Sequence, residues 1–275
     1  MRGANGEQAA ASLQGPRTLA IDIGGTGLKA SVLDVAGRMV VNRVRVPTPH
    51  PCPPAVLLRA LASLVAPLPS FDRVSIGFPG VIRDGRVITA PHFDVEAWRD
   101  YPLEAAASRH FGKPARLLND AEVQGLGIVA GRGLEVVLTL GTGVGSAVFF
   151  DGRLAPHLEL AHHPIHNGKT YNDYVGNDAR LAVSARKWNR RILKMIDIVH
   201  SLLHYDRLYI GGGNAANIVA NLPDNVRIAS NDAGLTGGIR LWEEDVWRVA
   251  RAGSAMRAMV GRRSASPKAG AAAPP

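Results

Sequence analysis

Two stretches of this sequence read as strand, glycine turn, strand, and they restrict the fold more than any other feature. The first is Ile21-Asp22-Ile23-Gly24-Gly25-Thr26-Gly27-Leu28-Lys29-Ala30. The second is Val136-Val137-Leu138-Thr139-Leu140, then Gly141-Thr142-Gly143-Val144-Gly145-Ser146, then Ala147-Val148-Phe149-Phe150. Alternating apolar residues on both sides of each turn predict extended chain before and after it. The sequel to the first turn excludes two familiar readings. A dinucleotide fingerprint requires GxGxxG opening a helix, and a P-loop requires GxxxxGK[ST] doing the same. A strand that carries Asp22 into such a turn sets exposed backbone N–H groups beside an anionic side chain, which suits a phosphate and its metal ion.

At 275 residues the chain exceeds one average domain, so two moderate domains or one large one are expected. Hydrophobic residues make up 46% and aromatic residues only 5%, which predicts aliphatic cores. The single cysteine, Cys52, excludes an internal disulfide framework and fits a reducing cytosol. Residues 1–16 lack an apolar signal segment, and no run approaches the roughly 18 apolar residues of a membrane span. The expectation is a cytoplasmic protein without a membrane partner.

In chain order, residues 1–16 read as a disordered arm, and a third strand follows the first hairpin over residues 38–46. The prolines of 47–54 resist both helix and ladder. An amphipathic helix spans 56–65 and stops at Pro67; strands follow at 74–78 and 86–89. A helix over 103–111 ends at Gly112, and a strand over 115–118 delivers Asn119-Asp120, with a helix from there to Ala130. The second half repeats the plan: strands at 136–140 and 147–150, a long helix from about 178 to 204, a strand at 207–210, and another at 226–229. A last helix over 237–252 and a disordered tail over 253–275 complete the chain. The predicted division is an α/β lobe over 17–119 and a second over 120–252, with the last helix packing back on the first.

Asp120 is the candidate general base, because a carboxylate at a strand end beside a cleft can take a proton from a hydroxyl. Asn119 or Asp120 would also cap the following helix. Glu159 and His162 can fix hydroxyls of a polyol; a structural role and a metal site with His166 are the alternatives, and with one distant cysteine no structural zinc is expected. Gly141, Thr142 and Gly143, with Gly211, Gly212 and Gly213, allow close approach of a phosphate. Lys29 is either a phosphate contact or a surface charge. Asp22 is expected to hold Mg²⁺ directly or through water. The net charge of +9 includes the cluster Arg186, Lys187, Arg190, Arg191 and Lys194, either a solvated helix face or an anion-binding surface.

The ordered set Asp22-Ile23-Gly24-Gly25-Thr26, Gly77-Phe78-Pro79-Gly80, Asn119-Asp120-Ala121, Leu140-Gly141-Thr142-Gly143-Val144-Gly145, Glu159-Leu160-Ala161-His162 and Ile210-Gly211-Gly212-Gly213 resembles the ROK family of bacterial sugar kinases. The resemblance runs from about residue 18 to 242 and looks most like the branch containing the polyphosphate glucokinases. It implies the actin-like ATPase fold of two ribonuclease-H-like domains. It also implies Mg²⁺-dependent phosphoryl transfer from ATP or inorganic polyphosphate to a sugar hydroxyl, glucose to glucose 6-phosphate. By that similarity Asp120 is the base, Asn119, Glu159 and His162 contact the sugar, and Gly24, Gly25 and Thr26 with Gly141 to Gly143 grip the phosphates. His92 stands where the family usually carries a sugar-binding Asn, Ala161 replaces a glycine, and the family's zinc-binding cysteines are absent. The alternative implied is a non-catalytic sugar or nucleotide sensor related to the ROK repressors. Too few residues precede Thr18 for their helix-turn-helix module, which argues against DNA as a partner. A homodimer is the default expectation for assembly.

Overall fold

The structure is a computed structural model, and it describes residues 15–230 and 232–243. The expected amino-terminal arm, apart from its last residues, and the carboxy-terminal tail lie outside those residues. β1 (Thr18–Ile23) and β2 (Gly27–Leu33) form an antiparallel hairpin across the first glycine turn, with Asp22 opposite Lys29. β3 (Val44–Pro47) extends that sheet and is shorter than the alternation over 38–46 suggests. The Asp34 carboxylate accepts the N–H groups of Ala36 and Arg38, and Gly37 takes a φ of 76°. That local turn absorbs the first residues of the expected strand, leaving a single bridge between Leu33 and Met39.

α1 (Pro54–Val65) buries Leu57, Leu61 and Leu64 against the sheet. A proline at its first turn is tolerated because that N–H has no helical partner anyway. β4 (Arg73–Phe78) joins β1 in parallel. A small hairpin, β5 (Ile82–Arg83) and β6 (Arg86–Val87), precedes α2 (Val95–Trp98) and α3 (Leu103–Phe111), which ends at Gly112. β7 (Ala115–Asn119) then pairs with β4, giving the order β3-β2-β1-β4-β7.

α4 (Asp120–Leu126) leaves β7 directly. It ends at Leu126, four residues before Ala130, and is capped by Gly127, where a side chain would press on the backbone of Gly237. β8 (Leu134–Leu140) and β9 (Val144–Phe150) form the second hairpin, followed by β10 (Arg153–Leu154) and a short ribbon, β11 (Pro164–His166) with β12 (Lys169–Thr170). The expected continuous helix over 178–204 is divided. α5 (Tyr171–Val175) and α6 (Asn177–Leu181) come first, and α7 (Ala185–Leu203) starts afresh where the Ser184 side chain accepts the Lys187 N–H at 3.3 Å. A serine favours exactly such a helix start over a helix interior. β13 (Arg207–Gly211) and β14 (Val226–Ile228) complete a sheet ordered β10-β9-β8-β13-β14. Both sheets therefore run antiparallel, antiparallel, parallel, parallel from the same edge.

The chain returns to the first sheet through α8 (Ala233–Thr236) and a 3₁₀ turn over Gly237–Trp242. The 3₁₀ turn stands where a helix was expected to begin, and residues 244–252 of that helix lie outside the described residues. Ser75 Oγ donates to the Gly238 carbonyl at 2.7 Å, and Trp242 Nε1 donates back to Ser75 Oγ at 2.9 Å. The Gly237-Gly238 pair lets backbone meet backbone there, since a side chain at Gly237 would run into the Val123 carbonyl. No helix among the described residues is long and apolar enough to cross a membrane.

Candidate active site

The two glycine turns, the start of α4 and the loop after β13 line one cavity of about 420 Å³. Every residue that sequence reasoning singled out for the site borders it, with one exception. Gly211 ends β13 behind the wall, where its backbone lies against the Gln124 amide.

Each turn uses its carbonyls inward. In the first, Gly24 N–H donates to Gly27 O at 3.0 Å, while the Gly24 and Gly25 carbonyls accept from Thr48 Oγ1 at 2.6 Å and His50 Nε2 at 3.0 Å. In the second, Gly141 N–H donates to Gly143 O at 2.9 Å. The Gly141 and Thr142 carbonyls accept from Asn214 Nδ2 at 2.9 Å and the Asn177 N–H at 3.2 Å. The N–H groups of Gly25, Thr26, Thr142 and Gly143 have no hydrogen-bond partner among the described residues. Turns with occupied acceptors and free donors make concavities suited to an anion.

Asn119 and Asp120 sit where β7 becomes α4. The Asn119 side chain accepts the Ala121 N–H at 2.9 Å and donates to the Gly80 carbonyl at 3.1 Å, while Glu122 reaches back to the Asn119 N–H at 3.2 Å. This is a capping box, and it fixes the first turn of the helix. Asp120 is thereby held at the cleft, and Gly77 on β4 lets its backbone come close. Burial pushes the Asp120 carboxyl up to about 7, with the negative charge of Asp22 next in effect. Asp22 itself pairs with Lys29 at 2.8 Å, so the lysine serves that carboxylate as well as facing the cavity.

Across the cleft Glu159 accepts the Ala161 N–H at 3.1 Å, with His162 and His92 beside it on the cavity wall. His92 packs over Gly25, where an added Cβ would stand 3.2 Å from the ring. Burial and the nearby His162 hold the His92 imidazole below its ordinary value, against the pull of Glu159. Further residues here carry polar groups that single-residue reading overlooks, among them His157, Asn172, Arg43 and Arg45. His157 bonds Glu122 across 35 positions, and Asn172 Oδ1 accepts the Val144 N–H at 2.7 Å across 28. Only Glu122 left a local trace, its three-residue spacing from Asn119.

Among the described residues no group of three or more His, Cys, Asp or Glu side chains is arranged to hold a metal. Asp22 fits a different kind of ion, since Mg²⁺ is commonly carried by one or two carboxylates together with water and substrate phosphate.

Two matched mixed sheets, each with a strand-turn-strand hairpin facing a common cleft, define the actin-like ATPase fold. Residues 18–159 match the ROK family, and the chain belongs to it. A polyphosphate glucokinase of Mycobacterium tuberculosis is 28% identical over 202 residues, 70% of this chain and 76% of that protein. An N-acetylmannosamine kinase of Escherichia fergusonii is 35% identical over 144 residues, half of this chain and 48% of its own length. The crystal structure of an inorganic polyphosphate/ATP-glucomannokinase from Arthrobacter sp. strain KM matches with a TM-score of 0.75 and 31% identity, covering 82% of this chain and 97% of that one.

Proposed function

We propose that this chain is a Mg²⁺-dependent sugar kinase that moves a phosphoryl group from ATP or inorganic polyphosphate to a hexose hydroxyl, with glucose as acceptor and glucose 6-phosphate as product. The observation that carries the reading is the convergence of two donor-rich glycine turns and Asp120 on one cleft. Residues 17–119 and 120–252 are taken as its two lobes.

In this mechanism Asp120 takes the proton of the attacking hydroxyl. A carboxyl pushed up to about 7 is a stronger base than an ordinary one and still ionises near neutrality. Asn119, Glu159, His162 and His92 hold the acceptor's other hydroxyls. The free N–H groups of the two turns, with Lys29 and the Gly212-Gly213 loop, receive the donor phosphates, where preset dipoles lower the energy of the charge that develops in transfer. Asp22 would hold Mg²⁺, which supplies neutralisation of donor charge. Replacing Asp120 by Ala should lower turnover by about 10²–10⁴-fold in a coupled assay with glucose and either donor. Turnover like that of the unaltered protein would remove Asp120 from the role.

A sensor that binds sugar or nucleotide without turnover is the second reading. It is favoured by His92, whose ring stands on Gly25 between the donor turn and Glu159. Calorimetric titration with glucose and with ATP beside a kinase assay separates the two, because binding with no product under any donor supports the sensor.

A further inference from the structure

His157 makes a contact that none of the roles above uses. Its Nδ1 lies 2.8 Å from Glu122 Oε1, and since a carboxylate only accepts, that nitrogen carries a proton. Its Nε2 lies 3.5 Å from Glu159 Oε2, is buried, and makes no hydrogen bond. The ring is 14% exposed, Glu122 5% and Glu159 33%, so the Glu122 side of the ring is closed to bulk water while the Glu159 side faces the cleft. A neutral ring would point a lone pair at the Glu159 carboxylate, whereas a doubly protonated ring meets a carboxylate on both sides. The other oxygen of Glu122 already accepts the Asn119 N–H. One imidazole thus stands between the capping box of α4 and the carboxylate across the cleft.

We propose that His157 is a positioning residue for the acceptor site: its imidazolium clamps Glu159 to Glu122, and so sets the acceptor-side carboxylate in register with Asn119 and Asp120. The inference rests on the sugar-kinase reading for what Glu159 touches, and on geometry alone for the clamp. The charged groups that face the ring are Glu122 from α4 and Glu159 from its own segment. Asp120 stands as a charge beside both carboxylates, and His162 beside Glu159. Burial alone would lower the His157 value, and the two carboxylates overturn that to push it up to about 9. Glu159, although burial opposes it, is held below its ordinary value, first by the close approach of the His157 ring and then by the Ala161 N–H.

The test has two arms. His157→Asn keeps a donor toward Glu122 and removes both the charge and the arm facing Glu159. It should raise the KM for glucose about tenfold, the scale of one charge-assisted contact, and leave the KM for the phosphoryl donor unchanged. A glucose KM within about twofold of the unaltered enzyme, or equal rises for both substrates, would overturn the proposal. The second arm needs no turnover and no altered ring. In the ¹³C-histidine NMR titration of the intact protein, the His157 signal should titrate near 9 and move toward its ordinary value in Glu159→Gln. Titration near 6.5 in the unaltered protein, or no movement in the variant, would sink the clamp. A protein that phosphorylates no sugar yet shows the shifted histidine would refute the kinase reading and leave the clamp standing.

Discussion

Asp120 carries the largest consequence of any single side chain here, because its environment sets activity and stability against each other. The carboxyl moves from an ordinary 3.8 to about 7 as burial and Asp22 penalise its charge. In the base role proposed for it Asp120 must be ionised to act, so kcat/KM should climb with pH through about 7 on its acid limb. Stability runs the other way. A carboxyl whose folded value is raised binds its proton more tightly in the folded chain, so its contribution is full below 3.8 and is lost as pH rises through about 7. Asp120→Asn carries no such loss. Without substrate it should gain on the order of 2 kcal/mol over the unaltered protein at pH 8, a figure discounted from the full shift for solvent screening, and about a third of that at pH 5, because the loss begins as soon as pH passes 3.8. Paired thermal melts at the two pH values check this. An advantage independent of pH would mean that Asp120 is not strained by its charge.

At the level of elements, the second turn shows which features were legible in the sequence and which were not. Its strands, its glycines and its likeness to the first turn are local, and the hairpin of β8 and β9 has the expected form. The anchor that holds it is not local: Asn172 reaches the Val144 N–H from α5, and nothing in the spacing of 28 residues announces that pairing. The same division holds elsewhere. Asn119-Asp120 at the end of β7 was readable because a strand end and a helix cap are neighbours in sequence. The short β3 and the break before α7 were not, because alternation and helical periodicity continue through places where Asp34 and Ser184 offer the backbone a competing partner. Gly143 links the two kinds of information. A Cβ added there would stand 2.8 Å from Asn172 Oδ1, the atom that holds the turn. Gly143→Ala should therefore push Asn172 off the Val144 N–H and raise the donor KM about tenfold, leaving glucose binding by calorimetry unchanged. Equal losses for both ligands would indicate general collapse of the cleft instead.

For the whole molecule the question is where a net charge of +9 is put to use. The dense cluster on α7 invites assignment as a polyanion surface, but two of its members are engaged in packing. Arg191 lies over the Tyr174 ring and donates to the Tyr174 carbonyl, and Lys194 approaches His166. Arg186, Lys187 and Arg190 are exposed, and none of the five borders the cleft. The lysine and arginines that do border it are Lys29 on β2, Arg43 just before β3 and Arg45 within β3, beside the first turn. Lys29 is matched by Asp22 and Arg43 by Asp232, at 2.8 and 2.7 Å. Arg45 has no carboxylate partner among the described residues and rests against Gly27. A phosphate chain longer than ATP would extend past the turn, and an unmatched guanidinium at that edge adds attraction that grows with the number of phosphates and falls with salt. Arg45→Gln should thus raise the KM for long-chain polyphosphate about fivefold at low salt, change the KM for ATP far less, and flatten the salt dependence seen with the polymer. Replacing Arg186, Lys187 and Arg190 together by Gln should leave both donors unaffected. The reverse pattern, polymer use lost with the helix cluster and retained without Arg45, would move the donor path from the cleft edge to the face of α7.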